Sequence, residues 1–429
     1  MNLENLQPII MAGGKGTRMQ SVSNDIPKPM ICVAGKPVLE HQLNFLLECN
    51  FKSVTISIGH LGQVIKNYFG NGEKFGLKIR YIEEFEPLGS AGALRFSLKQ
   101  PNLLMVINGD ILFNFDFQRM LAFHRKNSAD ITLFTHPNNH PFDSSVLDVQ
   151  NGRIVKWYNK EDLRENIPNR VNAGIHLIER DALELNSPIW NKKKIDLDRD
   201  ILKPSVASKK IFAYDSPEYV KDMGTPERLK LVEEDFYSGI IAAKNLKNPQ
   251  RAIFLDRDGT INKQMGFITK PEQIELIEGA SEAIKMINRS PYLAIVVSNQ
   301  SVIARGDCTF DDMKKINNRL AMLLGENRAY LDDIIFCPHH TDKGFQGEVL
   351  ALKINCDCRK PKPGMLLKMA EKYNIDLAKS YMIGDDIRDV EAGLSAGCNS
   401  IYIGENTMLN CHKSKNLLEA VRFILNVTV

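Results

Sequence analysis

At 429 residues the chain exceeds what one ordinary hydrophobic core serves, so two domains are the natural expectation. Its 43% hydrophobic and 25% charged residues are those of an average globular protein, and a net charge of +3 excludes a polyanion-binding surface spread over the whole molecule while leaving room for local phosphate pockets. No stretch reaches the roughly 18 apolar residues of a bilayer span, and no secretory signal opens the chain, so neither membrane nor nucleic acid is an expected partner. The expected location is cytoplasmic, where the eight cysteines are free thiols or metal ligands rather than a disulfide set.

Short apolar runs alternate with helix-periodic stretches throughout, the pattern of α/β domains with parallel sheets. Strands are predicted at 8–12, 53–59, 103–109 and 130–135, with helices at 39–49 and 117–126 among them. The theme repeats with strands at 251–256, 293–299, 333–338 and 380–385 and helices at 279–289, 310–323 and 363–373. A helix-like run breaks into Asn, Lys and Pro just before the strand at 251. That divides the chain into an N-terminal domain (1–237), a linker (238–250) and a C-terminal domain (251–429).

The segment MAGGKGTRM (11–19) follows the first predicted strand. Gly13, Gly14 and Gly16 lack Cβ atoms, so backbone amides there can approach a phosphate chain, and Arg18 and Lys28 add cations. The glycines alone fit a tight charged turn equally well. They form neither a Walker loop nor the dinucleotide G-x-G-x-x-G.

The ordered series GGKGTRM, PKPM, PLGSAGAL (87–94), NGD (108–110), VNAG (171–174) and KDMGTPERL (221–229) is more specific. It resembles the nucleotidyltransferases that make NDP-sugars from an NTP and a sugar 1-phosphate, over residues 6–235. The resemblance implies a Rossmann-like fold with a mixed, mostly parallel sheet. It also implies in-line attack on the α-phosphorus, which calls for metal and cationic neutralisation rather than a covalent nucleophile. By the same resemblance Asp110 and Asp222 hold Mg²⁺, and Arg18 and Lys28 contact phosphates as catalytic cations. Gly13 and Gly14 form the phosphate turn, Gly89 and Gly92 let the base lie against backbone, and Asn172 touches the sugar. The family often has Glu-Lys where this chain has Asn159-Lys160. Lys160 can still hold the sugar phosphate, with a solvated lysine as the alternative. The lost carboxylate points to a sugar other than the commonest hexoses.

FLDRDGTIN (254–262) places Asp256 and Asp258 two apart after an apolar strand, a spacing that suits a nucleophile with a neighbouring acid/base. SNQ (298–300), KPKPG (360–364) and GDDIRD (384–389) follow at later strand ends. The set resembles the haloacid dehalogenase superfamily of phosphatases across residues 250–428, implying a second Rossmannoid fold. In that resemblance Asp256 attacks phosphorus and Asp258 protonates the leaving alcohol. Ser298 and Lys360 hold the phosphoryl oxygens with Asn299 beside them. Asp385, Asp256 and the backbone carbonyl of Asp258 bind Mg²⁺, and Asp386 and Asp389 either join them or cap the next helix.

CPHH (337–340) and CDCR (356–359) offer Cys337, His339, Cys356 and Cys358 to a tetrahedral Zn²⁺, with His340 as the competing ligand and four unpaired loop residues as the alternative. Four protein ligands make such a zinc structural. The loop resembles that of the heptose-bisphosphate and histidinol phosphatase branch, where it stands in for a large cap domain and pins Arg359 and Lys360 at the substrate. SNQSVIARG and CDCRKPKPGM are most similar to the D-glycero-D-manno-heptose 1,7-bisphosphate 7-phosphatases, with Val302 replacing an expected glycine. Arg305 and Arg359 are then candidate binders of a second phosphate, or surface salt-bridge residues.

The two resemblances combine into a bifunctional enzyme. Dephosphorylation at O7 releases heptose 1-phosphate, which a nucleotidyl group from GTP converts to GDP-heptose; the guanine rests on family likeness alone. The rivals are a mannose or other hexose 1-phosphate transferase, a phosphatase for histidinol phosphate or another monoester, and a chain with one silent half. A homo-oligomer is compatible with all of them.

Overall fold

The structure, a computed structural model, describes residues 3, 5–14, 26–96, 102–162, 165–184, 186–405 and 411–427. Arg18 lies outside them. Among the described residues no helix is long and apolar enough to cross a membrane. Two compact units form: Met1–Thr135, Leu147–Trp157 and Asn172–Asn245 make the first, and His136–Val146, Tyr158–Val171 and Leu246–Val429 the second.

The N-terminal half contributes strands β1 (Leu6–Ala12), β2 (Cys32–Val33), β3 (Lys36–Pro37), β4 (Ser53–Ile58), β5 (Lys78–Glu83), β6 (Leu103–Asn108), β7 (Ile111–Asn114), β8 (Ile131–His136), β9 (Val146–Gln150), β10 (Arg153–Tyr158), β11 (Val171–Glu179), β12 (Ile211–Asp215) and β13 (Tyr219–Asp222). Nine of them form one sheet in the order β5-β4-β1-β6-β11-β8-β12-β10-β9. It is mixed: β1 pairs parallel with β4 and β6, whereas β11 runs antiparallel to β6.

The central strands β1 and β6 are mostly apolar on both sides because both faces are covered. Along β1 and β6, Ile10, Met105 and Ile107 enter one core with Leu39, Leu43 and Leu46 of the helix Val38–Glu48, while Ile9, Leu104 and Val106 enter the opposite core. This is the two-residue period of a strand. β7 and β13 form a separate antiparallel ribbon.

The strands β14 (Arg251–Leu255), β15 (Tyr292–Asn299), β16 (Asp333–Cys337), β17 (Tyr381–Gly384), β18 (Asn399–Ile403) and β19 (His412–Ser414) form a wholly parallel sheet in the order β16-β15-β14-β17-β18-β19. Ile253, Leu255 and Val296 face one core, and Ala252, Phe254, Ile295 and Val297 the other. From β14 the chain runs first to one side and then returns to the other. The carboxyl end of β14 is therefore a topological switch point, where a ligand crevice forms in open parallel sheets.

Candidate active sites

In the second unit, Asp256, Ser298 and Asp385 stand at or just past the carboxyl ends of the adjacent strands β14, β15 and β17. A cavity of about 340 Å³ opens over them. Carboxylate oxygens of Asp256, Asp385 and Asp389 lie within 4.8 Å of one another. Burial, then the crowding of like charges, lifts Asp256 to about 7 and Asp385 to about 6 despite the cation of Lys360. Converging hard oxygens that repel one another are a donor set that fits a divalent cation such as Mg²⁺. Gly259 is required beside them: its φ is +90°, and a Cβ there would collide with the Asp385 carboxylate.

Lys360 is buried. Its Nζ donates to Asp256 Oδ1 at 2.5 Å and to Val297 O at 2.8 Å, and pairs with Asp389 Oδ1 at 2.6 Å. Asn299, expected at the substrate, lines the cavity and clamps the Lys360 backbone, accepting from its N–H and donating to its carbonyl, both at 3.0 Å. The Asp258 carboxylate stands apart from the acidic cluster. It accepts from Arg257 Nε and Nη2 at 2.9 and 2.8 Å, and from Asn262 and Gln300 at 2.9 Å each. Burial alone would raise its pKa, but Arg257 and these amides outweigh that and lower it. Gln300 also donates to Ser298 Oγ at 2.8 Å. Asp386 caps the helix Ile387–Ala396.

Cys337, His339, Cys356 and Cys358 converge as one cluster. The sulfurs lie 3.2 to 3.5 Å apart, and His339 Nδ1 is 3.3 Å from Cys358 Sγ. Zn–S bonds of about 2.3 Å set tetrahedral sulfurs about 3.7 Å apart, so the donor set fits zinc. His340 lines the cavity instead of joining the cluster. Arg359 donates to the His339 carbonyl at 3.1 Å, tying the cavity wall to the thiolate loop. Across the cavity Arg305 is sandwiched between the rings of Phe267 and Phe345, each 4.4 Å from its guanidinium. Val302 is buried at the start of a short helix, where it packs in the core and also lines the cavity.

In the first unit the Asp110 turn joins β6 to β7, and Asp222 ends β13. The ribbon register sets Asp222 opposite Ile111, and Met223 N donates to Asp110 O at 3.2 Å, so the two aspartates are neighbours. Lys28 donates to Asp110 Oδ2 at 3.2 Å, and Arg228 holds both oxygens of Asp222 at 2.6 and 2.7 Å. Buried Gln42 fixes the turn by donating to the carbonyls of Asn108 and Ile111 at 2.9 and 2.8 Å.

Gly13 lies against Glu84, whereas Gly14 is open on its Cβ side. Gly89 adopts φ +83° where the loop 88–91 pairs with Ile195: Ile195 N donates to Leu88 O at 2.8 Å and Ala91 N to Ile195 O at 2.9 Å. Gly92 begins the helical turn Gly92–Phe96. Asn172 opens β11, its amide bonded within the protein. Lys160 belongs to the segment Tyr158–Val171 of the second unit and is exposed, 3.8 Å from Glu161. Asn159 is bonded to Asp162.

Sequence reasoning missed Gln42, Arg257 and Gln300. Arg257 and Gln300 sit inside the quoted motifs, so the signal was present; Gln42 lies mid-helix and carries none.

Residues 7–237 match the family model described as nucleotidyl transferase, and residues 357–415 the one described as HAD-hydrolase-like. The D-glycero-beta-D-manno-heptose-1,7-bisphosphate 7-phosphatase of Pasteurella multocida is 42% identical over 147 residues, which are 34% of this chain and 77% of that protein. The Escherichia coli K12 protein of the same name is 41% identical over 145 residues, 34% of this chain and 74% of that one. Among solved structures, HddC from Yersinia pseudotuberculosis covers 54% of this chain and 99% of its own at 25% identity, with a TM-score of 0.46.

Proposed function

Because the chain belongs to the nucleotidyl transferase family through residues 7–237 and, through its C-terminal part, to the heptose-1,7-bisphosphate 7-phosphatases, we infer that its two activities act in succession on one sugar. D-glycero-D-manno-heptose 1,7-bisphosphate loses its 7-phosphate in the second unit, and the resulting heptose 1-phosphate receives a nucleotidyl group, from GTP, in the first. The observation that carries this reading is the meeting of Asp256, Asp385, Asp389 and Lys360 over the switch point of a parallel sheet.

In the phosphatase, an Asp256 oxygen attacks phosphorus to form an aspartyl-phosphate while Asp258, which Arg257 and its amide donors keep ionised before substrate arrives, passes to the departing O7 a proton taken from the incoming phosphate monoanion. Asp258 then takes a proton from the water that attacks the same phosphorus and frees Asp256. Lys360 and Ser298 hold the phosphoryl oxygens, and Arg257 and Gln300 keep Asp258 in place. Asp256, Asp385 and the Asp258 carbonyl would hold Mg²⁺, with Asp389 bordering them, and the ion would offset the repulsion between carboxylate and phosphate. Arg305 and Arg359, which line the same cavity, are the proposed binders of the 1-phosphate.

In the transferase, a sugar 1-phosphate oxygen attacks the α-phosphorus and pyrophosphate leaves. Lys28 and Arg18 offset the phosphate charge, and Asp110 and Asp222 would hold Mg²⁺ in exchange for their present lysine and arginine partners. The test is a panel of NTPs with the heptose bisphosphate and Mg²⁺, read by mass detection of the NDP-sugar. If only a hexose 1-phosphate is consumed, the heptose assignment fails.

A further inference from the structure

Resting on the transferase reading above, we propose that Asp198 recognises a hydroxyl of the sugar 1-phosphate, with Asn172 and His176 as positioning residues behind it.

The segment 194–202 reads KIDLDRDIL. Ile195, Leu197 and Ile201 are buried in one core and fix the segment, leaving Asp196 and Asp198 towards the open side. Two of the three aspartates are fully occupied. Asp196 accepts from Ser90 Oγ at 3.1 Å and from Arg199 N at 2.9 Å. Asp200 accepts from Asp196 N, Lys192 and Arg199. Asp198 differs: Asn172 Nδ2 donates to its Oδ1 at 3.0 Å, and its Oδ2 has no hydrogen-bond partner among the described residues.

Asn172 is in turn committed. Its Oδ1 accepts from Gly174 N at 3.2 Å and from His176 Nε2 at 3.0 Å, so the amide is turned with its NH₂ towards Asp198. His176 is buried, and burial lowers its pKa to about 4, so the neutral ring supplies that N–H at physiological pH. Asn172, the residue expected at the sugar, therefore serves to aim a carboxylate that still has an acceptor to offer.

The location suits a sugar. On one side the Asp198 segment is zipped to the base-binding loop through Ser90, Ala91 and Ile195. On the other, β11 runs antiparallel to β6 with Ile175 opposite Ile107, so its start, where Asn172 sits, lies by the turn that carries Asp110. Asp198 is solvent-accessible, and the protein around it, with Asp196, raises its pKa to about 6. Ionised at neutral pH, it repels a phosphate and accepts from a hydroxyl. It thus faces the polyol end of the substrate and supplies the acceptor that Asn159 does not.

The test uses the full chain with Mg²⁺, GTP and heptose 1-phosphate, reading pyrophosphate. For Asp198→Asn, kcat/KM for the sugar phosphate falls about tenfold to a hundredfold, the worth of a hydrogen bond to a charged group, while KM for GTP stays within about twofold and phosphate release is intact. His176→Gln gives a smaller loss of the same kind. Unaltered sugar kinetics in D198N, or a loss expressed equally in KM for GTP (contact with the nucleotide ribose), overturns the assignment while leaving the transferase reading standing. Wild-type enzyme that releases no pyrophosphate with any sugar 1-phosphate sinks that reading, and this assignment with it.

Discussion

Lys360 and Asp389 form an ion pair, 2.6 Å between Nζ and Oδ1, with both side chains almost wholly enclosed. The same ammonium reaches Asp256 at 2.5 Å, so one cation serves two carboxylates that burial has made reluctant to ionise. Removing one member of such a group leaves uncompensated charge in the interior. Lys360→Met is expected to lower phosphate release by roughly 10²- to 10³-fold, the cost of losing a preorganised donor to a phosphoryl oxygen. Pyrophosphate release, supplied with heptose 1-phosphate, is expected to continue. Equal loss of both outputs would show global damage instead.

The two activities are expected to separate by single substitutions. Asp256→Asn removes the nucleophile and should reduce phosphate release to background, with pyrophosphate release from supplied heptose 1-phosphate unchanged. Asp110→Ala should do the converse. A variant that changes neither output identifies a silent half.

Zinc is expected at about one equivalent per chain, bound by Cys337, His339, Cys356 and Cys358. Cys356→Ala should lose the metal by elemental analysis and should slow phosphate release, because Arg359 and Lys360 follow directly on the thiolate pair and Arg359 leans on the His339 carbonyl. Full phosphatase activity in a zinc-free variant would show that the loop holds its shape unaided.

Arg305 has the rings of Phe267 and Phe345 each 4.4 Å from its guanidinium, and its buried Nε has no hydrogen-bond partner among the described residues. If it receives the second phosphate, Arg305→Met should raise KM for the bisphosphate by about tenfold or more and leave KM for a simple monophosphate nearly unchanged. Equal effects on both substrates would argue for a packing role.

Stability should carry an acid limb from His176. Its folded pKa, about 4, lies below the ordinary histidine value near 6.5, so between those pH values the unfolded chain binds the proton that the folded chain refuses. Stability is then fully present above about pH 6.5 and falls as pH drops towards 4. Urea unfolding at pH 7 and pH 5 should show the difference, reduced in His176→Gln. An unchanged limb in that variant would place the acid sensitivity elsewhere.

Much of this was legible in the sequence because the central strands of both sheets are buried on two faces and read as nearly continuous apolar runs. The predicted strands at 103–109 and 293–299 match β6 and β15 closely. The zinc set was legible because two short spacings carry it. Strands β9 to β12 were not predicted: in β10, Arg153, Val155 and Lys156 are exposed, and a partly solvated strand resembles a loop in composition. Asp389 was read as a choice between cap and metal ligand; one of its oxygens accepts from Asp386 N in the helix cap, and the other pairs with Lys360 inside the acidic cluster. Asp198 was invisible because its neighbours Asp196 and Asp200 look the same on paper and only hydrogen-bond geometry sets it apart.

In the second unit the residues proposed to act around phosphorus, Asp256, Ser298 and Asp385, issue from the ends of adjacent strands, whereas Arg305 ends a short helix and His340 and Arg359 belong to loops around the cavity. Reactivity and taste in substrates are thereby inherited separately. Substitutions at Arg305, His340 and Arg359 should redirect the enzyme to another phosphomonoester while Asp256, Ser298 and Asp385 keep their places, which gives evolution, and the engineer, a place to experiment cheaply.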